Sequence, residues 1–380
     1  MVLANVLLKD GIDPVDIGIR GDTVFNVAAK MLSPGLHIIF DNAIAFPGLI
    51  NSHDHLDFNL FPQLGHQVYE NYTQWGKDIH EQDKDEINKI LKVPVPLREE
   101  WGIIKNLLCG VTTVVNHGGK IKSNDPLITV YEAYQCIHSV QFEKRWKLKL
   151  NNPLKTKSPV VIHIGEGTDQ LAHDEIDELN RWNLLKKPLI GVHAVAMTDQ
   201  QATKFKAVVW CPQSNFFLLG KTAQVSRLSK QTTLLFGTDS TLTGNWNIWD
   251  HIAMARKTKM LTDEELYETL QPNPARIWET STTAIKPGSN ADLVVANKKG
   301  SGWLDSFFEV EPKDILLVLN HGNVRLLDAS LYCQFANKGL TGFTKITIDG
   351  VEKYIQGDIA RLIKNIRHYY PAAKFPISVN

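Results

Sequence analysis

The sequence predicts an α/β protein: a parallel β barrel with chemistry at one mouth, plus a smaller β domain built from both chain ends. Three observations predict it. Four apolar runs each end in a chemically active polar group, amphipathic stretches alternate with them, and short strands with tight turns occupy the two ends of the chain. With 380 residues and 43% hydrophobic content, the chain has material for one large barrel and a smaller companion.

The first run, Phe46-Pro47-Gly48-Leu49-Ile50-Asn51-Ser52-His53-Asp54-His55, ends in two histidines two residues apart. Side chains two apart on a strand point the same way, so His53 and His55 can present two imidazoles to one metal ion. The later runs are Pro159-Val160-Val161-Ile162-His163 followed by Glu166, Leu189-Ile190-Gly191-Val192-His193, and Thr233-Leu234-Leu235-Phe236-Gly237-Thr238-Asp239. Each reads as a strand buried on both faces with its polar group at the carboxyl end. In a parallel barrel those ends converge on one mouth.

Further barrel strands are read at Val111-Thr112-Thr113-Val114-Val115, near His117, at Gln135-Cys136-Ile137-His138-Ser139-Val140, and at Ala207-Val208-Val209-Trp210-Cys211. That makes seven. The stretch between His117 and Cys136 must hold the missing strand and is short for a complete β-α unit, so the region 118–134 is expected to be compressed or distorted.

Residues 1–46 alternate apolar and polar positions around Asp10-Gly11 and Gly21-Asp22 turns, and 285–345 match them, so the two segments are expected to pair in one β domain. The barrel would then occupy 47–284. After 345, Ile359-Ala360-Arg361-Leu362-Ile363-Lys364-Asn365-Ile366 has helical periodicity, and 346–380 reads as a C-terminal helical extension.

Forty-one Lys and Arg balance forty-one Asp and Glu, which removes the global electrostatic case for nucleic acid or an anionic membrane. Cys109, Cys136, Cys211 and Cys333 are widely spaced, without a Cys-x-x-Cys pair, and read as reduced, buried thiols. The first residues lack a basic region followed by a long apolar core, and no apolar run is long enough to cross a bilayer, so a cytoplasmic protein is expected. The chain has no His-Glu-x-x-His helix of a zincin protease and no Pro-Cys-x-x-Cys of the zinc deaminases that act on nucleic-acid bases. Gly220-Lys221-Thr222 resembles the end of a phosphate loop, but Asn215 stands where that loop needs its first glycine.

On these ordered motifs, together with Gly110-Val111-Thr112-Thr113-Val114, Cys211-Pro212-Gln213-Ser214-Asn215, Asn273-Pro274-Ala275 and Gly288-Ser289-Asn290-Ala291-Asp292-Leu293-Val294, the chain resembles the amidohydrolase superfamily. The branch it resembles includes cytosine and guanine deaminases. The resemblance implies a (β/α)8 TIM-type barrel with a composite β-sandwich domain. It assigns His53, His55, His163 and Asp239 to one divalent ion, zinc or ferrous iron, whose bound water becomes the nucleophile. Glu166 would shuttle the proton, His193 would hydrogen-bond the nucleophile or developing oxyanion, and Asp239 would also orient the nucleophile. A bridging ligand is not legible around Glu143 and Lys144, so a single metal is expected.

The activity so implied is hydrolysis of a C–N bond in a small heterocycle, foremost a deamination. Ring opening of a cyclic amide of the imidazolone type is the alternative, and a non-catalytic ligand-binding relative the reading from another class. Trp75, His117, His138 and Gln213 are candidate substrate contacts. Each is equally compatible with a place in the wall or, for Trp75, with anchoring the segment after the first strand. The partner is a small molecule, and the resemblance allows a homodimer.

Overall fold

The computed structural model describes residues 1–122, 126–280, 284–335 and 340–379. Eight short strands run parallel in two sheets. Leu49–Asp54, Val111–Asn116 and Thr129–Tyr131 form one; Gln135–Ser139, Val160–Ile164, Leu189–His193, Ala207–Trp210 and Thr233–Phe236 form the other, in sequence order. Thr129–Tyr131, three residues pairing Thr113 with Thr129, is the strand missing from the sequence reading. No helix follows it before Gln135, which is why the region is so short; residues 123–125 of that stretch lie outside the described residues.

The two sheets meet at their carboxyl ends, where the Thr238 and Asp239 amides both donate to the His53 carbonyl at 3.1 Å. Alternate residues Ile50, Val115, Val161, Ile190, Val192, Val209 and Leu235 pack on one another with Trp278, and the intervening positions pack against the helices. That division is what strands buried on both faces require.

The remaining strands form a ten-stranded sheet. Its central pairings join the two ends of the chain: Leu293–Asn297 lies antiparallel to His37–Pro47, which pairs with Val2–Leu7. At one edge Thr23–Ala28 meets the chain again, with the Ala291 amide donating to the Asp22 carbonyl at 2.7 Å. The tail departs from the expected helical extension. Phe343–Ile348 and Val351–Gln356 form a hairpin, and Val351–Gln356 pairs with Asn323–Asp328, before the helix Ile359–Tyr369. The hairpin alternates buried with part-buried positions and carries the buried Lys353, whose ammonium binds Asp328 at 2.9 Å; a lysine at a core position masks the apolar alternation. Residues 336–339, inside the expected β segment, lie outside the described residues.

All four cysteines are free, but Cys333 is exposed and Cys136 only part-buried, so buried thiols hold for Cys109 and Cys211 alone. No described helix is long and apolar enough to cross a membrane.

Candidate metal centre and its cavity

The first strand delivers both histidines through an irregularity. Its pairing with Val111–Asn116 shifts register between Asn51 and Asp54, so Ser52, which receives a hydrogen bond from Trp278 Nε1 at 3.2 Å, and its neighbour His53 both face the interior. Asp54 points the other way and is fully buried among donors: Lys105 Nζ at 2.8 Å, Asn106 Nδ2 at 2.7 Å and Asn59 Nδ2 at 2.9 Å. A buried carboxylate is tolerated only with such partners, and this one clamps the backbone between the two histidines.

His163 Nε2 lies 3.1 Å from His53 Nε2 and 3.3 Å from His55 Nε2. Asp239 Oδ1 lies 3.6 Å from His53 Nε2 and 3.5 Å from His55 Nε2. Burial pushes His55 down to about 3 and His163 well below the usual imidazole range, so both rings are neutral there. Burial alone would raise Asp239, but His53, His55 and His193 hold its carboxyl well below the usual range. Ser214 Oγ and Thr243 Oγ1 donate to its Oδ2 at 2.9 and 2.8 Å and leave Oδ1 facing the histidines. Ligand atoms about 2.0–2.1 Å from a tetrahedral zinc ion lie about 3.3–3.4 Å apart. The four spacings and the mixed imidazole and carboxylate donors fit one such ion.

His193 arrives by a different device. Ile190 and Val192 face the strand interior, so regular alternation would turn His193 away; its φ of 71° swings the side chain back. Nδ1 lies 2.9 Å from Asn215 Oδ1, an acceptor, which places the proton on Nδ1 and leaves Nε2 free, 3.5 Å from Glu166 Oε1. Burial pushes His193 down to about 4. It pushes Glu166 well up, with Asp239 and Glu175 adding to the rise.

Glu166 stands on a stapled loop. The Gly165 amide donates to Glu175 Oε1 at 2.8 Å, and Tyr72 donates from its hydroxyl to Glu175 Oε2 at 3.1 Å and from its amide to the Glu166 carbonyl at 3.1 Å. Tyr72 opens the helix Tyr72–Gln82, capped by Asn71, whose side chain also donates to Asp169 Oδ2. The sequence reading missed Ser214, Thr243, Tyr72 and Glu175. The Cys211-Pro212-Gln213-Ser214-Asn215 motif was the one signal pointing at any of them.

A cavity of about 560 Å³ opens on this cluster, reaching His55, His163, Glu166, His193 and Asp239 at its polar end. Phe58, Phe61, Trp75, Ile79, Phe142 and Leu242 are among the apolar side chains of the remaining wall. Of the candidate contacts, Trp75 lines the cavity and anchors its segment, donating from Nε1 to the Leu64 carbonyl at 2.7 Å, and His138 lines it as well. His117 does not reach the wall: it is buried behind His163, stacked at 4.3 Å between ring centres, with neither ring nitrogen hydrogen-bonded. Gln213 is also outside, accepting from the Asn245 amide at 2.8 Å. His80 also lines the cavity. Thr222 accepts from Trp210 Nε1 and Asn215 Nδ2, consistent with setting the phosphate-loop reading aside.

No family model matches the sequence, and no curated protein matches it in sequence. Solved structures do match the fold. An adenosine deaminase from Xanthomonas campestris with bound zinc superimposes with a TM-score of 0.73 at 15% identity, covering 97% of each chain. An atrazine chlorohydrolase from Arthrobacter aurescens complexed with zinc gives 0.69 at 14% identity, covering 97% of this chain and 99% of that one. The aminofutalosine deaminase of Helicobacter pylori, in complex with methylthio-coformycin, gives 0.64 at 13% identity over 85% and 99%. The likeness is one of fold, running over at least 97% of each of those chains at no more than 15% identity.

Proposed function

We propose that this chain is a metal-dependent hydrolase of the amidohydrolase superfamily, acting on a C–N bond of a small heterocycle and foremost as a deaminase. The observation that carries the reading is the convergence of His53, His55, His163 and Asp239 beside Glu166 and His193 at the polar end of one cavity. Zinc in the neighbouring structures and deamination in two of their names support it.

In this reading the two parallel sheets are arcs of one (β/α)8 barrel at about 47–284. The ten-stranded sheet, folded back where Asp22 meets Ala291, is the composite β-sandwich, and the hairpin after 342 joins it. His53, His55, His163 and Asp239 hold one divalent ion, zinc or ferrous iron. When bound, the ion supplies Lewis acidity that brings the pKa of water toward neutrality. Glu166 takes the water's proton at a carboxyl oxygen and hands it to the leaving nitrogen; the burial that raises its pKa strengthens it as the base for the first transfer. His193, held by Asn215, presents Nε2 toward the reacting centre, and Asp239, steadied by Ser214 and Thr243, orients the attack. The aromatic wall takes the flat face of the substrate, with Trp75 and His138 beside it.

The test begins with elemental analysis of the purified protein and of the His53→Ala/His55→Ala variant. About one zinc or iron per chain, lost in the variant, is expected. Ammonia release is then screened over aminated purines, pyrimidines and triazines, with Glu166→Gln expected to keep its metal and lose about 10²–10⁴-fold in rate. Absence of metal after reconstitution would overturn the reading. A product heavier by one water with no ammonia released would move the activity to cyclic-amide hydrolysis, and loss of another leaving group is the variant that the chlorohydrolase neighbour brings forward.

A further inference from the structure

The zero net charge conceals an uneven surface. Residues 142–157 carry six Lys or Arg against one acid, Glu143, and residues 181–187 carry three and none. The two segments are one surface, since Asn151 Nδ2 donates to the Trp182 carbonyl at 2.8 Å and the Leu184 amide donates to Asn151 Oδ1 at 3.1 Å. Lys147 and Lys149 are paired, with Glu178 and Glu143, each at 2.8 Å. Among the described residues Lys144, Arg145, Lys155, Lys157, Arg181 and Lys186 are in no ion pair.

Large apolar side chains stand out among these cations. Leu154 is 92% exposed, Leu148 74% and Leu184 66%. An exposed apolar cluster rimmed by charge marks an interaction surface. Residues 147–157 and 181–187 lead into strands Val160–Ile164 and Leu189–His193 at their amino ends, opposite the ends that carry His163 and His193, so Leu148, Leu154 and Leu184 stand apart from the cavity, whose wall includes Phe142 at the other end of the first segment.

We propose that this surface docks the protein on an anionic lipid membrane, with the leucines entering the headgroup boundary and the unpaired cations meeting lipid phosphates. Charge decides between occupants. A second copy meeting it across a two-fold axis would set like charge against like. Single-stranded nucleic acid would want free aromatic platforms; of the rings here Trp146 is buried, Phe142 belongs to the cavity wall, and Trp182 is covered by the Lys147 ammonium 4.4 Å from its centre. Protruding leucines between lysines are the composition of an interfacial anchor.

The experiment is flotation of the whole protein with phosphatidylcholine vesicles and with vesicles that also contain phosphatidylglycerol, with and without added salt. Binding to the anionic vesicles alone, weakened by salt, is expected. Lys144→Ser/Lys155→Ser/Lys157→Ser is expected to weaken it about a hundredfold, at about fivefold for each cation near the surface. Leu148→Ser/Leu154→Ser is expected to weaken it about tenfold, with circular dichroism unchanged in both variants because these side chains face solvent. No binding, or equal binding by the lysine variant, overturns the proposal. So does duplex DNA displacing the vesicles from an equally tight complex, which would identify a general polyanion surface. Self-association in sedimentation that the leucine variant abolishes would assign the surface to a second copy instead.

Discussion

Glu175 shows how much of this site rests on residues that touch no reactant. It is buried under the loop that carries Glu166, and burial raises its carboxyl to about 7, with the Gly165 amide and Tyr72 hydroxyl opposing the rise. The folded state therefore keeps a proton that the unfolded chain has lost between the two pKa values. Its contribution to stability is fully present below the unfolded value and is lost as pH rises through about 7. Glu175→Gln has no such proton to lose. Its melting temperature relative to the native protein is expected to climb between about pH 5 and about pH 8, by the equivalent of up to about 3 kcal/mol. A difference flat across that range would refute the assignment. His117 is the converse, a buried imidazole whose two nitrogens have no partner; it was legible as a histidine near a strand end, but not as one turned behind His163.

Among the elements, the helix Val95–Leu108 does more than cover the first strand. Lys105 and Asn106 reach Asp54 between the two histidines, and Gly102 lets the helix touch the chain just beyond them: a Cβ there would meet the Leu56 carbonyl oxygen at 2.2 Å. Backbone against backbone cannot yield cheaply. Gly102→Ala is expected to lower stability by about 3 kcal/mol in urea unfolding and to reduce bound metal, because Leu56 follows His55 directly. Unchanged stability would mean that the helix can move without the strand. The amphipathic pattern predicted this helix, while the contact of Gly102 with Leu56 depends on two segments forty-six positions apart.

For the whole molecule, the donors come from two strands and from the residues just past two strand ends, spread from His53 to Asp239, so an ion bound by all four ties distant parts of the chain together. Chelation is expected to lower the melting temperature and added zinc to restore it; at free zinc about a hundred times the dissociation constant the gain is about 2.7 kcal/mol. In His53→Ala/His55→Ala neither treatment is expected to matter. A native protein indifferent to chelator, though metal-loaded, would show that the ion contributes nothing to holding the fold.

The sequence by itself determined the strand runs, the chain ends that pair, and the identity of the polar groups that meet. Burial on both faces writes itself as unbroken apolar runs, and a reactive group at a strand end needs a residue of definite chemistry. The tertiary structure alone decided the three-residue strand Thr129–Tyr131, the hairpin hidden by Lys353, the exclusion of Gln213 and His117 from the cavity, and the return of His193 through a left-handed backbone. Each depends on where a neighbour distant in sequence stands, through a pairing partner, a buried counter-charge or a turn of φ. Local pattern carries no record of such a neighbour.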